Sequence, residues 1–432
     1  MSAWNYSRRG ALGLIGAGTA GIATGLARPG ILRAQDAARV VVVGGGFGGA
    51  TAARNLKARA PGLSVTLVEP AERFYTCPFS NLVLGGLRDL ESIGHGFDDL
   101  RAQGIEVIHA MAEDIDTAAR TLRLSNGSDL AWDRLVLSPG IDIRWNAIEG
   151  YDEAAAELAP HAWKAGAQTQ LLRGQLEAME DGGTFILCAP ENPFRCPPGP
   201  YERVSMIAHY FSQEKPNSKI LILDAKDAFS KRGLFEEGWA ALYGDMIEWV
   251  GRSGDGAITR VDAEALEVTT EFGQVHKADV LNIVPPQKAG FIAERAGVTN
   301  ESGWVPVNPI TFESEQVEGI YVVGDATIAA PMPKSGFCAN AQAKVVAAAI
   351  VAELDGQDPA DPVWINTCYS LIGPEYGISV ADVYRISDGA IAVAPETGGV
   401  SPTGAPAAFR ASEARYAMGW YASIAQDTWG TV

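Results

Sequence analysis

The stretch that most constrains the fold is a valine run followed by closely spaced glycines, ARVVVVGGGFGGATAARNL, with LSVTLVEP a few residues later. Four consecutive valines predict a buried parallel strand, and the alanine-rich segment after the glycines predicts a helix. Gly44, Gly46 and Gly49 have GxGxxG spacing, and Glu69 ends the next predicted strand. In such a motif Gly44 permits the tight turn, Gly46 lets the backbone approach a pyrophosphate, Gly49 allows close helix packing, and the acid binds a ribose hydroxyl. The sequence therefore predicts a βαβ dinucleotide-binding unit.

Two later segments indicate which dinucleotide is bound. WDRLVLSPGI, residues 132–141, and EGIYVVGDAT, residues 318–327, resemble the second and third FAD motifs of flavoproteins with two dinucleotide-binding domains. The first turns sharply at Gly140, and the second places Asp325 after a buried strand, where it can accept hydrogen bonds from the ribityl or pyrophosphate region. Gly336 then opens an alanine-rich helix whose N-terminal dipole favours the negative charge on a reduced flavin. We therefore predict FAD as the cofactor.

Most such flavoproteins carry a second nucleotide loop, and here that loop is altered. GGTFILCAPENPFRC predicts a strand at about residues 184–189, but the turn that follows contains two prolines and Glu191. Prolines lack the N–H groups that cradle a pyrophosphate, and the Glu191 carboxylate would repel one. We therefore expect a second Rossmann-like domain that has lost its nucleotide, with electrons entering from another donor.

The first 35 residues are typical of an export signal rather than of a fold. Arg8 and Arg9 precede a weakly apolar, glycine-rich run that ends at Ala34, and no acidic residue occurs before Asp36. This pattern predicts a twin-arginine signal, export of a folded protein and a periplasmic location. The GxGxxG at residues 16–21 lacks a preceding strand and a following acid, so we assign no nucleotide to it.

The formal net charge of −18 argues against a nucleic-acid partner, because phosphate binding requires clustered positive charge. Removal of the predicted signal, with its four arginines, takes the charge to −22. An acidic surface favours a basic protein partner or a small substrate. We find no run of 18 apolar residues after the signal and expect no transmembrane segment.

The five cysteines include no CxxC or CxxxxC pair, which argues against a thioredoxin-like dithiol loop. Cys77 lies eight residues beyond Glu69, and eight extended residues span about 26 Å, enough to reach from the adenosine end of FAD toward its ring. From the residues alone, Cys77 is either a flavin contact or an ordinary buried thiol. The histidines have no metal-ligand spacing, so we predict no metal site and interpret them as structural or surface residues: His95, His109, His161, His209 and His276.

Several long segments resemble the flavoprotein subunit of flavocytochrome c sulfide dehydrogenase, and the likeness runs from about residue 36 to the C-terminus. They are TCPFSNLVLGG, LESIGHGFDDLRAQGIEV, PHAWKAGAQT, PFRCPPGPYER, PMPKSGFCANAQAK and NTCYSLIGPEYGISV. The resemblance implies an 8α-thioether between FAD and Cys77, and a redox-active cystine of Cys196 and Cys368 against the flavin. It also makes Lys334 part of a cofactor-binding segment. Electrons would pass to a c-type haem on a partner subunit, since this chain has no CxxCH.

This resemblance also implies why Cys196 stands where a nucleotide loop would lie: the donor is sulfide. HS⁻ attacks one sulfur of the cystine and leaves a persulfide and a thiolate, and two electrons pass to the flavin. Glu202, six residues past Cys196, is a candidate acid or base for protons on sulfur, with a solvated surface carboxylate as the alternative. Cys188 and Cys338 match no family cysteine, and we expect them to be buried, inert thiols.

We expect an α/β architecture with two Rossmann-like domains, one binding FAD and one a degenerate NAD-like domain, followed by a C-terminal interface domain. The aromatic tail with Trp420 and Trp429 is assigned to the core or an interface, with a flavin- or haem-facing position as the alternative. The predicted bounds are 1–35 for the signal peptide, 36–150 and 290–361 for the FAD domain, 151–289 for the second domain and 362–432 for the C-terminal domain.

Two other functions stay open at this point. A sulfide:quinone oxidoreductase shares the fold and the cystine chemistry, but it usually needs an amphipathic membrane-binding C-terminus, and this tail has no basic amphipathic stripe. A non-catalytic accessory flavoprotein would bind a sulfur-oxidation partner without turning over sulfide. Loss of Cys196 or Cys368 would favour that function, but both are present.

Overall fold

The computed structural model describes residues 37–430, and the predicted signal peptide lies outside them. The helices are α1 (Phe47–Arg59), α2 (Ser80–Leu84), α3 (Asp98–Ala102), α4 (Ala167–Ala178), α5 (Gly199–Glu214), α6 (Arg232–Tyr243), α7 (Phe291–Arg295), α8 (Gly336–Leu354) and α9 (Ala407–Trp429). The strands are β1 (Arg39–Val43), β2 (Ser64–Val68), β3 (Phe74–Tyr75), β4 (Gly94–His95), β5 (Glu106–Ile108), β6 (Ala112–Asp116), β7 (Thr121–Leu124), β8 (Asp129–Ala131), β9 (Arg134–Leu137), β10 (Ile141–Ile143), β11 (Thr184–Ala189), β12 (Lys219–Asp224), β13 (Ile247–Val250), β14 (Ile258–Asp262), β15 (Glu267–Thr270), β16 (Val275–Lys277), β17 (Val280–Ile283), β18 (Gln287–Ala289), β19 (Val305–Pro306), β20 (Ile320–Val322), β21 (Thr327–Ile328), β22 (Val363–Gly373), β23 (Tyr376–Ser387), β24 (Ala390–Val393) and β25 (Gly399–Val400).

The first parallel sheet has the strand order β20-β9-β1-β2-β5. Its central strand β1 is the valine run, which pairs with β2 on one side and β9 on the other, so the valines are at most 6% exposed. β20 comes from a later part of the chain, which returns to this sheet after building the second one. The segments after β1, β9 and β20 therefore leave the sheet at one edge, where ligands of such sheets bind.

The second parallel sheet has the order β13-β12-β11-β17. Its strand β11 spans the predicted residues 184–189. Residues 190–198 then connect β11 to α5, where a Rossmann unit has a short glycine loop. With a parallel sheet in each half, the predicted fold class of two Rossmann-like domains and a C-terminal domain is confirmed.

The C-terminal part is an antiparallel sheet of β22, β23 and β24, with β25 also paired to β23. Helix α9 packs closely on β23, because a Cβ at Gly377 would lie 2.4 Å from the backbone nitrogen of Ala414. At the end of α9, the fully buried Trp429 donates from Nε1 to the Gly45 carbonyl at 2.9 Å and stacks on His95. The last helix therefore supports the first glycine loop.

One helix in the described part of the chain, α8, is long and apolar enough to cross a membrane, which the sequence analysis did not expect. Half of it is buried inside the fold. Asn340 donates to Thr51 Oγ1 at 2.9 Å, and Gln342 accepts from the backbone nitrogen of Gly324 at 2.7 Å. The core helices of globular proteins can have the same length and composition. The buried hydrogen bonds of Asn340 and Gln342 are contacts that such a core helix makes.

Gly49 sets how closely α1 approaches β1. A Cβ at this position would lie 1.8 Å from the Gly44 carbonyl oxygen, a backbone atom that cannot rotate away. We expect Gly49→Ala to lower the free energy of unfolding by about 1–3 kcal/mol, because the added methyl group forces the helix away from the strand.

Gly62→Ala is the matched control, since nothing lies within 4 Å of a Cβ there. Thermal unfolding of the two variants measures the difference. Equal melting temperatures would contradict the close approach at Gly49.

Candidate active site and cofactor cleft

A cleft of about 690 Å³ opens at the carboxyl edge of the first sheet. Most of the residues that the sequence assigned to the cofactor line it: Gly44, Gly46, Glu69, Cys77, Gly140, Asp325 and Gly336. The other two lie outside this lining. Gly49 packs beneath the glycine loop, and Lys334 is hydrogen-bonded to the Asp325 carbonyl.

The glycine loop and Glu69 form one end of the cleft. Gly44 has a φ of 99°, which favours glycine, and the chain turns there into α1. The Glu69 carboxylate accepts from the backbone nitrogens of Gly45 at 2.7 Å and Ala71 at 3.0 Å. Each carboxylate oxygen keeps a second lone pair, so Glu69 can still accept from a ribose hydroxyl.

Asp325 and Lys334 lie together further along the cleft. Asp325 Oδ1 is buried and has no hydrogen-bond partner among residues 37–430. Burial raises the pKa of Asp325, while the nearby charges of Arg195 and Lys334 act against that rise. Lys334 Nζ donates to the carbonyls of Asp325 and Thr327 at 2.7 Å each and lies 3.7 Å from the ring centroid of Trp304. Burial lowers the pKa of Lys334 to about 8.

Cys77 borders the same cleft on the segment between β3 and α2. Its Sγ donates to the Trp163 carbonyl at 3.2 Å. Tyr421 of α9 holds the residues around it, since its hydroxyl lies 2.8 Å from Thr76 Oγ1 and its ring stacks on Phe79 at 4.3 Å. The Trp163 carbonyl therefore holds the thiol itself, and Tyr421 holds the backbone segment that carries it.

Cys196 and Cys368 approach this region from different parts of the fold. Cys196 lies in the loop before α5, with a φ of 59°, and its backbone nitrogen donates to the Lys334 carbonyl at 2.8 Å. Cys368 lies on β22. Burial raises the pKa of Cys196 well above its usual range, and negative charge on Cys368 raises it further. Both are unbonded in this structure, and the disulfide between them stays a prediction.

Glu202, in the first turn of α5, links the two cysteine segments. Its Oε1 accepts from the backbone nitrogen of Leu371 at 2.9 Å, and its Oε2 accepts from Asn81 Nδ2 at 2.9 Å. Burial raises the pKa of Glu202, although these two hydrogen bonds oppose the rise. In turn, negative charge on Glu202 raises the pKa of both Cys196 and Cys368. A carboxylate with fixed partners and a raised pKa differs from the solvated surface group that was the alternative.

No role for Trp163 or Arg203 was predicted from the sequence. The Trp163 ring and Cys196 Sγ would both lie within 3.0 Å of a Cβ at Gly199, so the indole packs beside this thiol. Arg203 is 2% exposed and lies 4.7 Å from the Trp163 ring centroid, and burial lowers its pKa to about 10. The segments PHAWKAGAQT and PFRCPPGPYER, which contain Trp163 and Arg203, were the sequence signals for this part of the site.

The three predicted catalytic residues, Cys196, Glu202 and Cys368, lie outside the cleft lining, and so do the remaining predicted residues. Cys188 and Cys338 are 2% and 1% exposed, and burial raises the pKa of both thiols. Trp429 packs behind the glycine loop, while Trp420 packs near Phe337. Within residues 37–430, no group of three or more His, Cys, Asp or Glu side chains could hold a metal ion.

Three family models match separate parts of the chain. Residues 169–285 match the central domain of the sulfide dehydrogenase (flavocytochrome c) flavoprotein chain, and residues 360–429 match the flavin-binding domain of flavocytochrome c sulphide dehydrogenase. Residues 38–176 match the pyridine nucleotide-disulphide oxidoreductases. The sulfide dehydrogenase flavoprotein chain of Chlorobaculum thiosulfatiphilum is 67% identical over 45 residues, which are 10% of this chain and 94% of that sequence. The chain belongs to the sulfide-oxidising flavoproteins.

This family includes both flavocytochrome c sulfide dehydrogenases and sulfide:quinone oxidoreductases. The mitochondrial sulfide:quinone oxidoreductase of Mus musculus is 23% identical over 350 residues, 76% of this chain and 73% of the relative. The X-ray structure of the sulfide:quinone oxidoreductase from Aquifex aeolicus has the same fold, with a TM-score of 0.70, 20% identity and coverage of 91% of this chain and 93% of that one.

The cleft of this sulfide-oxidising flavoprotein fits FAD, the predicted cofactor. Backbone N–H groups of the glycine loop can hold a pyrophosphate, and Glu69 can bind the ribose. The orphaned oxygen of Asp325 needs a donor that the protein does not supply, and FAD carries hydroxyl groups that supply one. Helix α8 begins at Gly336 on the cleft wall, where its dipole favours negative charge.

The raised pKa of Glu202 makes a prediction for stability against pH. Because the folded protein binds this proton more tightly than the unfolded chain, the stabilisation is complete below the unfolded pKa of 4.5 and is lost as pH rises through the folded pKa. We therefore expect Glu202→Gln, compared with wild type, to become relatively more stable as pH rises from about 4 to about 8.

Glu214→Gln is the control, since Glu214 is exposed at the end of the same helix. Melting temperatures across this pH range measure both differences. A Glu202→Gln difference that does not change with pH would contradict the prediction.

Proposed function

We propose that this protein oxidises sulfide at a cystine formed by Cys196 and Cys368, and that it passes the electrons through FAD, bound covalently to Cys77, to a c-type cytochrome subunit. The observation that carries the proposal is that the half-buried carboxylate of Glu202, six residues after Cys196, accepts from the backbone nitrogen of Leu371, three residues after Cys368. Cys77 borders the cleft that fits FAD, which supports it as the attachment point.

The first step is a thiol–disulfide exchange. HS⁻ attacks one sulfur of the cystine, the bond between Cys196 and Cys368 breaks, and a new S–S bond forms. The products are a persulfide on one cysteine and a thiolate on the other, so the negative charge is conserved. Glu202 can take the persulfide proton, because it lies six residues after Cys196, is hydrogen-bonded to the strand that carries Cys368, and has a pKa that burial raises. FAD, when bound, supplies the two-electron acceptor.

The second domain supports sulfide rather than NAD(P)H as the donor. Asp224 ends β12, in the position that binds a ribose in a nucleotide-binding sheet. Its Oδ2 accepts from Tyr201 at 2.6 Å and Trp249 at 2.9 Å, and its Oδ1 accepts from Lys226 at 2.6 Å. Lys226 also donates to the Pro190 carbonyl at 3.0 Å. Protein side chains therefore already satisfy the acid that a nucleotide would need.

Two observations favour a cytochrome over a quinone as the electron acceptor. The models for the central and flavin-binding parts of flavocytochrome c sulfide dehydrogenase match 169–285 and 360–429. The tail also lacks a basic amphipathic stripe for a membrane surface. Quinone reduction is the second candidate, because relatives with that activity in their names match most of the chain.

We further propose export through the twin-arginine signal at residues 1–35 and function in the periplasm.

The covalent attachment gives one test. We expect Cys77→Ser to fold and bind FAD but to release it in acid or urea, because serine cannot form the thioether. Wild type and the control Cys188→Ala, a buried thiol outside the cleft, should keep the yellow colour on the denatured chain. Flavin that stays on the denatured Cys77→Ser chain would rule out Cys77.

Anaerobic reduction tests the donor and the cystine together. Sulfide should bleach the flavin of the wild type, whereas NADH and NADPH should not. Cys196→Ser and Cys368→Ser should keep FAD but lose at least about a hundredfold in the rate of reduction by sulfide, about 3 kcal/mol of barrier, because no sulfur electrophile remains.

The control is cytochrome reduction by flavin that has been reduced chemically, which should be nearly unchanged in both serine variants. Wild-type rates with sulfide in either variant would favour the accessory flavoprotein instead. Rapid bleaching by NADH would overturn the account of the second domain, and reduction of a quinone but not of a cytochrome would favour the second candidate.

A further inference from the structure

Lys231 is a buried cation beside Cys368. It immediately precedes α6 with a φ of 62°, a left-handed backbone conformation that a lysine adopts only at a cost. The residue is 9% exposed. Its Nζ donates to the Cys368 carbonyl at 3.2 Å and to Ser370 Oγ at 2.8 Å, so the ammonium lies against the strand that carries the thiol.

This ammonium has no carboxylate partner within the part of the chain that the structure describes, since none of the ion pairs there includes Lys231. Lys226, by contrast, is a buried lysine that pairs with Asp224 at 2.6 Å. The charge of Lys231 does act on Glu202, but that carboxylate is hydrogen-bonded to other groups. A buried charge without a counter-ion costs free energy. Stability of the fold therefore does not account for a lysine here.

We propose that Lys231 supplies the positive charge that holds anionic sulfur at Cys368 during sulfide oxidation. The inference rests on the proposed function. If HS⁻ attacks Cys196, the S–S bond breaks and the leaving thiolate is Cys368. If HS⁻ attacks Cys368, the persulfide forms there, and its terminal sulfur becomes anionic when its proton passes to Glu202. Either route places a negatively charged sulfur atom on Cys368, the residue whose carbonyl accepts from Lys231.

The charged and titratable groups that face Cys368 come from several elements. Lys231 precedes α6, Glu202 lies on α5, Cys196 lies in the loop before α5, and Cys338 lies on α8. Burial raises the pKa of Cys368, Glu202 raises it further, and Lys231 opposes both effects. Lys231 is the cation in this set. Its removal leaves a carboxylate and two thiols, and none of these stabilises a negative charge on sulfur.

The experiment measures the thiolate directly and needs no turnover. The cystine of the FAD-loaded protein is reduced with dithiothreitol, and alkylation of Cys368 by iodoacetamide is followed against pH by mass spectrometry of its peptide. In Lys231→Met and Lys231→Gln, the midpoint of alkylation should rise by about one pH unit, which is a tenfold loss of thiolate at a given pH. Lys231→Arg keeps the charge and should keep the wild-type midpoint. Lys277→Met is the control, since its side chain is 69% exposed and lies outside the site.

The glutamine variant can still donate to Ser370, so it separates loss of charge from loss of the hydrogen bond. An unchanged midpoint in either folded neutral variant overturns the proposal. It is also overturned if both neutral variants fail to fold while Lys231→Arg folds, because the charge then serves the fold rather than the sulfur. A wild-type protein that sulfide does not reduce would refute the proposed function, and the alkylation midpoint would still report on Lys231.

Discussion

The meeting of Gly44 and Gly49 fixes where α1 begins relative to β1. Since backbone atoms touch there, the loop between them is held at the end of the central strand. Two other parts of the chain bind the same loop through Gly45: Glu69, directly after β2, accepts from its nitrogen, and Trp429 at the end of α9 donates to its carbonyl. The loop therefore anchors one end of the cofactor cleft, the neighbouring strand and the last helix.

The two parallel sheets differ in the surroundings of the acidic residue at the carboxyl end of their second strand. Glu69 directly follows β2 and Asp224 ends β12, and each of these strands pairs with the first strand of its sheet. Glu69 has backbone partners and stays on the cleft wall with lone pairs to spare. Asp224 is fully buried under aromatic and lysine side chains that use its oxygens. The oxygens of Asp224 are thereby already satisfied, which supports the proposal that sulfide rather than a nicotinamide nucleotide is the donor.

The parts of the molecule that could be predicted from the sequence are those with local patterns. The valine run and the glycine spacing predicted β1 and α1, and the apolar run before Pro190 predicted β11. The pairing of Cys196 with Cys368 came from a family resemblance, because no local rule connects residues that are 172 positions apart. The apolar length of α8 was missed, because polar residues interrupt its sequence but are hydrogen-bonded inside the fold.

No sequence pattern pointed to Lys231, and only the segment PHAWKAGAQT pointed to Trp163, for a related reason. A lysine before a helix is an ordinary surface residue unless the chain elsewhere covers it, and its partner Ser370 is 139 positions away. The backbone carbonyl of Trp163 accepts from Cys77 and Arg195. Every residue type has such a carbonyl, so the identity of the side chain does not reveal these contacts. Both residues acquire their surroundings only from long-range packing.

The hydrogen bond between Gly45 and Trp429 joins residues 384 positions apart, and it has a consequence for the timing of assembly. A nascent chain folds from its N-terminal side as it is made. The first glycine loop therefore emerges long before the indole that supports it, and β20 of the same sheet also arrives late. The cleft is complete only after the ribosome has passed Trp429, so tight cofactor binding is a late event in the biosynthesis of this protein.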